Sequence, residues 1–140
     1  MIYTASHRFA DVTARKMRPF AQLVRGKNVD EALEQLRFRP NRGARLIEAV
    51  IKSAVGNAED KGCRHLDDLV VTVCRIDDGP MYKRIQPRAR GTAFSILKRL
   101  AHIHVTVTDV EAIAAIQEQE EARKLAASQA VPTEAPAANG

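Results

Sequence analysis

Acidic residues are missing from 30 consecutive positions of this 140-residue chain, 79–108. Aromatic residues are also scarce, at 4% with no tryptophan. Tyr82 and Phe94 do not form the paired platform on which single-stranded bases stack, so base-by-base reading of an unfolded strand is not expected. The two cysteines, Cys63 and Cys74, are too few for a disulfide framework, and reduced cytosolic thiols are the expectation. No apolar run approaches the ~20 residues of a helical membrane span. The opening MIYTASHRF holds neither an apolar signal core nor an Arg-rich amphipathic presequence, so a cytoplasmic location without a membrane partner is expected.

Catalytic patterns are equally sparse. No serine or cysteine sits in a nucleophile motif, and Gly-rich phosphate loops are absent. The acid pairs Asp67-Asp68 and Asp77-Asp78 fall at strand ends, where turn and cap roles are usual. An enzyme is not expected, and neither is a cofactor. A metal site has some appeal, because Cys63-x-His65 precedes a strand and His102-x-His104 places two imidazoles on one strand face. Without a CxxC knuckle, zinc is not expected. His102 either touches RNA or packs at the sheet edge.

What fills the acid-free stretch is positive charge: Lys83, Arg84, Arg88, Arg90, Lys98 and Arg99. Apolar residues on either side predict two strands joined by a turn at Pro87, Arg88, Ala89, Arg90 and Gly91. A turn centred on Ala89 sets Val71 opposite Val107, Val73 opposite Val105 and Cys74 opposite His104. The β-branched runs 70–73 and 105–107 then meet, as strand pairing favours. From Asp78 to the tip, at ~3.3 Å per residue, the ribbon could reach ~30 Å beyond the sheet. A lone two-stranded ribbon is marginal in water, so this basic one needs a partner, and a polyanion fits.

The charge is unevenly spread. Residues 1–108 hold 20 Lys/Arg against 11 Asp/Glu, whereas 109–140 hold 2 against 6. A basic domain with an acidic appendix points to nucleic acid. Along the domain, 2–9 reads as a strand. Thr13 is a candidate N-cap for a helix whose apolar face is Met17, Phe20, Ala21 and Val24, with Gly26 as its stop. The other face carries Arg15, Lys16, Arg18, Arg25 and, just beyond, Lys27. Such faces are ordinarily just solvated, yet Asp11 is the single acid among the first 29 residues, so phosphate contact is expected. Asn28-x-x-Glu31 predicts a capping box opening a short helix that Pro40 stops. A third helix is expected over about 41–61, with Leu46 or Ile47, Val50, Ile51, Ala54, Val55 and Ala58 facing the core. The fold class is α+β: three helices packed on a small antiparallel three-stranded sheet, with a long protruding β-hairpin. The domain covers 1–108, with the hairpin over about 69–108. A charged helix at 109–128 and a disordered Pro/Ala-rich tail at 129–140 are expected to follow.

Taken in order, ARKMRPFAQLVRGKNVDEAL, SAVGNAE and DDGPMYKRIQPRARGTAFSILKRLAHIHVTV resemble the bacterial-type large-subunit ribosomal protein L twenty-two family. The resemblance spans about 4–108. It implies a structural constituent of the large subunit, monomeric within the ribosome and bound to ribosomal RNA and neighbouring ribosomal proteins. It also implies a role in subunit assembly and a hairpin tip in the wall of the nascent-peptide exit tunnel. On this sequence, Pro87, Arg88, Ala89, Arg90 and Gly91 would form the tip, near the nascent peptide. Lys83, Arg84, Lys98, Arg99 and His102 would contact RNA along the arm, and Arg15, Lys16, Arg18, Arg25 and Lys27 would do so at the globular end. Thr13-Ala14 stands where the family often has Ser-Pro, Thr92 and Ala101 replace a frequent Arg and Ser, and Asp11 takes a place where a basic residue is common. The rival expectation is a free-standing RNA-binding or RNA-chaperone protein.

Overall fold

A computed structural model describes residues 1–63 and 65–109. The expected helix and tail over 109–140 lie, apart from Asp109, outside the described residues. The element order is β1 (Ile2–Ala10), α1 (Ala14–Val24), α2 (Val29–Arg37), α3 (Arg42–Asp60), β2 (Leu69–Pro87), a single 3-10 turn (Ala89–Gly91) and β3 (Ala93–Asp109). The sheet is antiparallel in the order β1-β3-β2. This is the expected α+β arrangement.

Each helix forms where an apolar stripe recurs at helical spacing, and each stripe faces the sheet or a neighbouring helix. Met17, Ala21 and Val24 of α1, Ala32 and Leu36 of α2, and Ile47, Ile51, Ala54 and Ala58 of α3 are buried. They join Tyr3, Leu69, Val71, Cys74, Ile76, Ile103, Val105 and Val107 from alternate strand positions in one core. The opposite sheet face is polar, with Arg75, His104 and Thr106 on it. Asn28 caps α2 without a side-chain hydrogen bond, so the predicted box does not form. Glu31 is drawn outward, accepting from Lys27 Nζ at 2.6 Å and from Gln35 Nε2 at 3.1 Å.

Two bulges correct the predicted hairpin register, and a third lies between β1 and β3. Val71 does face Val107, but Val73 then faces Thr106 and Cys74 faces Val105. The extra residue is Thr72, whose hydroxyl donates to the Thr106 carbonyl and shares a hydrogen bond with the buried Thr108 hydroxyl at 2.6 Å. This one-residue insertion shifts the inward phase from Leu69 and Val71 to Cys74 and Ile76 and turns Val73 to the surface. Cys74 and His104 therefore lie on opposite faces of the sheet and cannot share a ligand.

A second bulge sets Gly79 and Pro80 against Leu100, between the pairs Asp78↔Ala101 and Met81↔Arg99. Pro80 has no N–H for the ladder, and a Cβ on Gly79 would sit 3.1 Å from the Leu100 carbonyl. The third sets Arg8 and Phe9 against His102, with Phe9 at φ 61°. The second and third bulges meet the same short stretch of β3, residues 100–102. There the three-stranded sheet ends and the two-stranded ribbon leaves it.

Candidate nucleic-acid interface

Beyond the second bulge, β2 and β3 continue as a regular ladder from Met81↔Arg99 to Pro87↔Ala93. Every residue over 81–99 is exposed. The tip is centred one residue later than the sequence predicts. Arg88 donates its N–H to the Thr92 carbonyl at 2.8 Å, and the Thr92 hydroxyl donates to the Ala89 carbonyl at 2.9 Å. Reversal needs two left-handed residues, Arg90 at φ 59° and Gly91 at φ 71°. Gly91 adopts that conformation freely, whereas Arg90 is strained there.

Cross-strand partners share a face, so the ladder sorts the arm into two surfaces. One combines Met81, Lys83, Ile85, Leu97 and Arg99; the other combines Tyr82, Arg84, Phe94, Ile96 and Lys98. Cations and apolar side chains are interleaved on both. The Arg84 guanidinium lies 5.7 Å from the Tyr82 ring and that of Arg88 lies 5.8 Å from the Phe94 ring. Among the described residues, none of the six arm cations has an acidic partner. The positive field of the arm is therefore uncompensated within the described domain.

The globular end differs. Arg18 Nη2 pairs with Asp78 Oδ2 at 2.9 Å, and Lys27 pairs with Glu31. Arg25 is committed to the fold. Its Nε and Nη2 donate to the Cys74 carbonyl at 2.8 and 2.6 Å, closing an outward-facing acceptor on the edge strand β2. Arg15 and Lys16 have no acidic partner among the described residues.

His102 has a structural task on the domain rather than a place on the free arm. Its Nδ1 accepts the N–H of Phe9 at 3.0 Å, and the two rings meet edge to face with centroids 4.9 Å apart. That bond fixes the neutral tautomer with hydrogen on Nε2, which remains the atom able to donate outward. Of the groups considered for metal, Cys63 Sγ lies against the His65 carbonyl and Asp109 Oδ2, with no cluster of three metal-ligating side chains among the described residues.

Sequence reasoning missed Arg42. It opens α3 and meets Asp11 Oδ2 at 3.4 Å, on the wall of a cleft of about 740 Å³ between the helix starts and the arm root. The clustering of Arg39, Arg42 and Arg45 was the available signal.

The family model described as "Ribosomal protein L22p/L17e" matches residues 5–108, which include the arm, its tip and the globular end. The chain belongs to the uL22 family. A large ribosomal subunit protein uL22 of Rhodopirellula baltica is 54% identical over 114 residues, 78% of this chain and 96% of that protein. The uL22 protein of Pseudothermotoga lettingae is 46% identical over 105 residues, 75% of this chain and 76% of that protein. Within this uL22 chain, the matched region ends where the acid-rich segment begins.

Proposed function

We propose that this uL22-family protein is a structural constituent of the large ribosomal subunit that binds ribosomal RNA through its arm. The observation that carries the reading is the arm itself: six cations without an acidic partner among the described residues, on a ribbon whose apolar side chains are also exposed. Ile85 is 77% exposed and Phe94 60%. Water is a poor setting for such a ribbon, since two strands alone bury little. Folded RNA supplies both missing parts, phosphates for the guanidinium and ammonium groups and ribose or base surfaces for the apolar ones.

The action follows from electrostatics and shape. Converging RNA backbones repel one another, and a slender cationic ribbon inserted between them replaces diffuse counterions with fixed charge. Inserted RNA domains are thereby held together, which supports subunit assembly. The tip, Pro87, Arg88, Ala89, Arg90 and Gly91, reaches furthest and would stand in the wall of the nascent-peptide exit tunnel. At the globular end, Arg15 and Lys16 have the freest charge for RNA, while Arg18 and Lys27 would have to exchange acids for phosphates. Ribosomal neighbours would cover part of the remaining surface.

Sedimentation of the tagged full chain in lysate tests this. Retention on large subunits through a high-salt wash is expected, because an enclosed arm leaves slowly even when phosphate attraction is screened. Release into the soluble fraction would overturn the integral role and favour a free RNA binder.

A further inference from the structure

The arm suits a polyanion, yet another surface of the domain has the opposite sign. A groove of about 300 Å³ lies between α2, α3 and the loop that leads into β2. Leu33, Val55 and Leu66 line it half-buried, packed against the core. Asp30, Glu59 and Asp67 are exposed around them, and none has a basic partner among the described residues. The cation on the groove wall, Lys52, is already held by Glu48 at 2.7 Å. The last turn of α3 contains Glu59 and Asp60 and no basic residue, so acids stand at the negative end of the helix dipole. Lys61, just beyond, is drawn away over the Tyr3 ring, 5.7 Å from its centroid. Gly56 lines the groove in mid-helix, where glycine is unfavourable, and a Cβ there would meet nothing within 4 Å. Packing among the described residues therefore does not require glycine at this point.

We propose that this groove seats a cationic segment of a second, different protein of the large subunit. One apolar side chain of that segment lies over Gly56 among Leu33, Val55 and Leu66, and its Lys or Arg residues face Asp30, Glu59 and Asp67. The inference rests on the large-subunit reading and adds to it a surface and a partner chemistry. RNA is the wrong occupant, because three acids without cations repel phosphates. An uncharged peptide would cover the acids and leave them unpaired. A segment with both kinds of side chain satisfies the whole groove, and Gly56 lets it approach the α3 backbone closely.

The test uses the full chain assembled into large subunits, with the photo-crosslinker p-benzoylphenylalanine in place of Lys52, an exposed position on the groove wall. Adducts are isolated after irradiation and the joined segment is identified by mass spectrometry. The expected adduct is with one other protein, at a segment in which Lys or Arg flank an apolar residue. Gly56→Leu fills the groove without changing charge, and leucine suits a helix better than glycine, so the fold survives. It is expected to lower the adduct yield at least ~5-fold while the chain stays on the subunit. Asp30→Lys/Glu59→Lys/Asp67→Lys is expected to lower the yield at least ~10-fold. An adduct with RNA, with a second copy of this chain or with a segment lacking cations would overturn the groove and leave the large-subunit reading standing. So would the absence of any adduct, or full yield in both variants. Failure of the unaltered chain to enter large subunits would overturn both.

Discussion

Replacing Lys83, Arg84, Arg88, Arg90, Lys98 and Arg99 together by Gln removes the arm's charge and keeps its length. All six are exposed and none has an acidic partner among the described residues, so the fold should survive. If each cation neutralises one phosphate, each contributes about −0.7 to −0.9 to the slope of log K against log salt. The variant should therefore lose about 4–5 from the slope measured on protein-free large-subunit RNA. Over a fourfold change in salt, 50 to 200 mM, that slope alone amounts to about a thousandfold in affinity. Arg18→Gln and Lys27→Gln serve as contrasts, because these side chains already hold Asp78 and Glu31. Each should shift the slope by less than one arm cation does. Filter binding over the salt series, with melting curves to verify folding, decides the matter. A six-site variant whose slope stays within about 1 of the parent would refute the assignment of phosphate contact to the arm.

Three other outcomes follow from the packing. Gly79→Ala should destabilise the domain by about 1–3 kcal/mol in urea titrations, because its Cβ meets the Leu100 carbonyl at 3.1 Å. Gly56→Ala, with open space around it in α3, should instead stabilise by about 0.5–1 kcal/mol; equal effects at the two glycines would defeat the close-approach argument. Arg25→Gln should cost about 1–2 kcal/mol by leaving the Cys74 carbonyl without its charged donors, while RNA affinity changes little; the reverse pattern would make Arg25 an RNA ligand. Burial pushes the Cys74 thiol up from 9.0 to about 11, with the Arg25 charge pulling the other way. The folded chain thus holds this proton more tightly than the unfolded one, and stability present below pH 9 falls by about 2–3 kcal/mol as pH approaches 11. Cys74→Ala should flatten that decline, and an unchanged alkaline slope would count against it.

The helices were legible because their evidence is local. In α3, Ile47, Val50, Ile51, Ala54 and Ala58 repeat at the helical period and are all buried. The candidate capping box was local too, and it misled, because Lys27 and Gln35 offer Glu31 better partners than the helix start does. The existence of the hairpin could be read from the β-branched runs 70–73 and 105–107 and from the Pro87–Gly91 turn chemistry, but its register could not. The insertion at Thr72 depends on Thr108, 36 residues away, and the one at Phe9 depends on His102, 93 residues away. Neither leaves a nearby mark in the sequence. Only the bulge at Gly79 and Pro80 carried one. The same distance effect hid the cleft, whose cations come from α1, α3 and β3.

Counting cations in the sequence treats Arg25 and Arg84 as equivalent, and the structure separates them. Arg25 spends its hydrogen-bonding capacity on an edge carbonyl, and Arg18 and Lys27 have carboxylates within 3 Å. Removing any of these changes the free protein before RNA is considered. Among the described residues the arm cations have no carboxylate tie; their contacts are with Tyr82, Phe94 and Met81 of the arm itself, and six like charges along a narrow ribbon oppose its formation. Such a ribbon keeps its shape through the bulged root at Gly79, Pro80 and Leu100, where the ladder is fastened to a buried core. Charge that opposes the ribbon's own formation and sits on its best-exposed element is the charge that the proposed RNA partner would neutralise. The distinction is measurable residue by residue: Arg25 should show a larger effect on melting than on RNA affinity, arm cations the opposite, and Arg18 and Lys27, in exposed pairs, only small effects on melting.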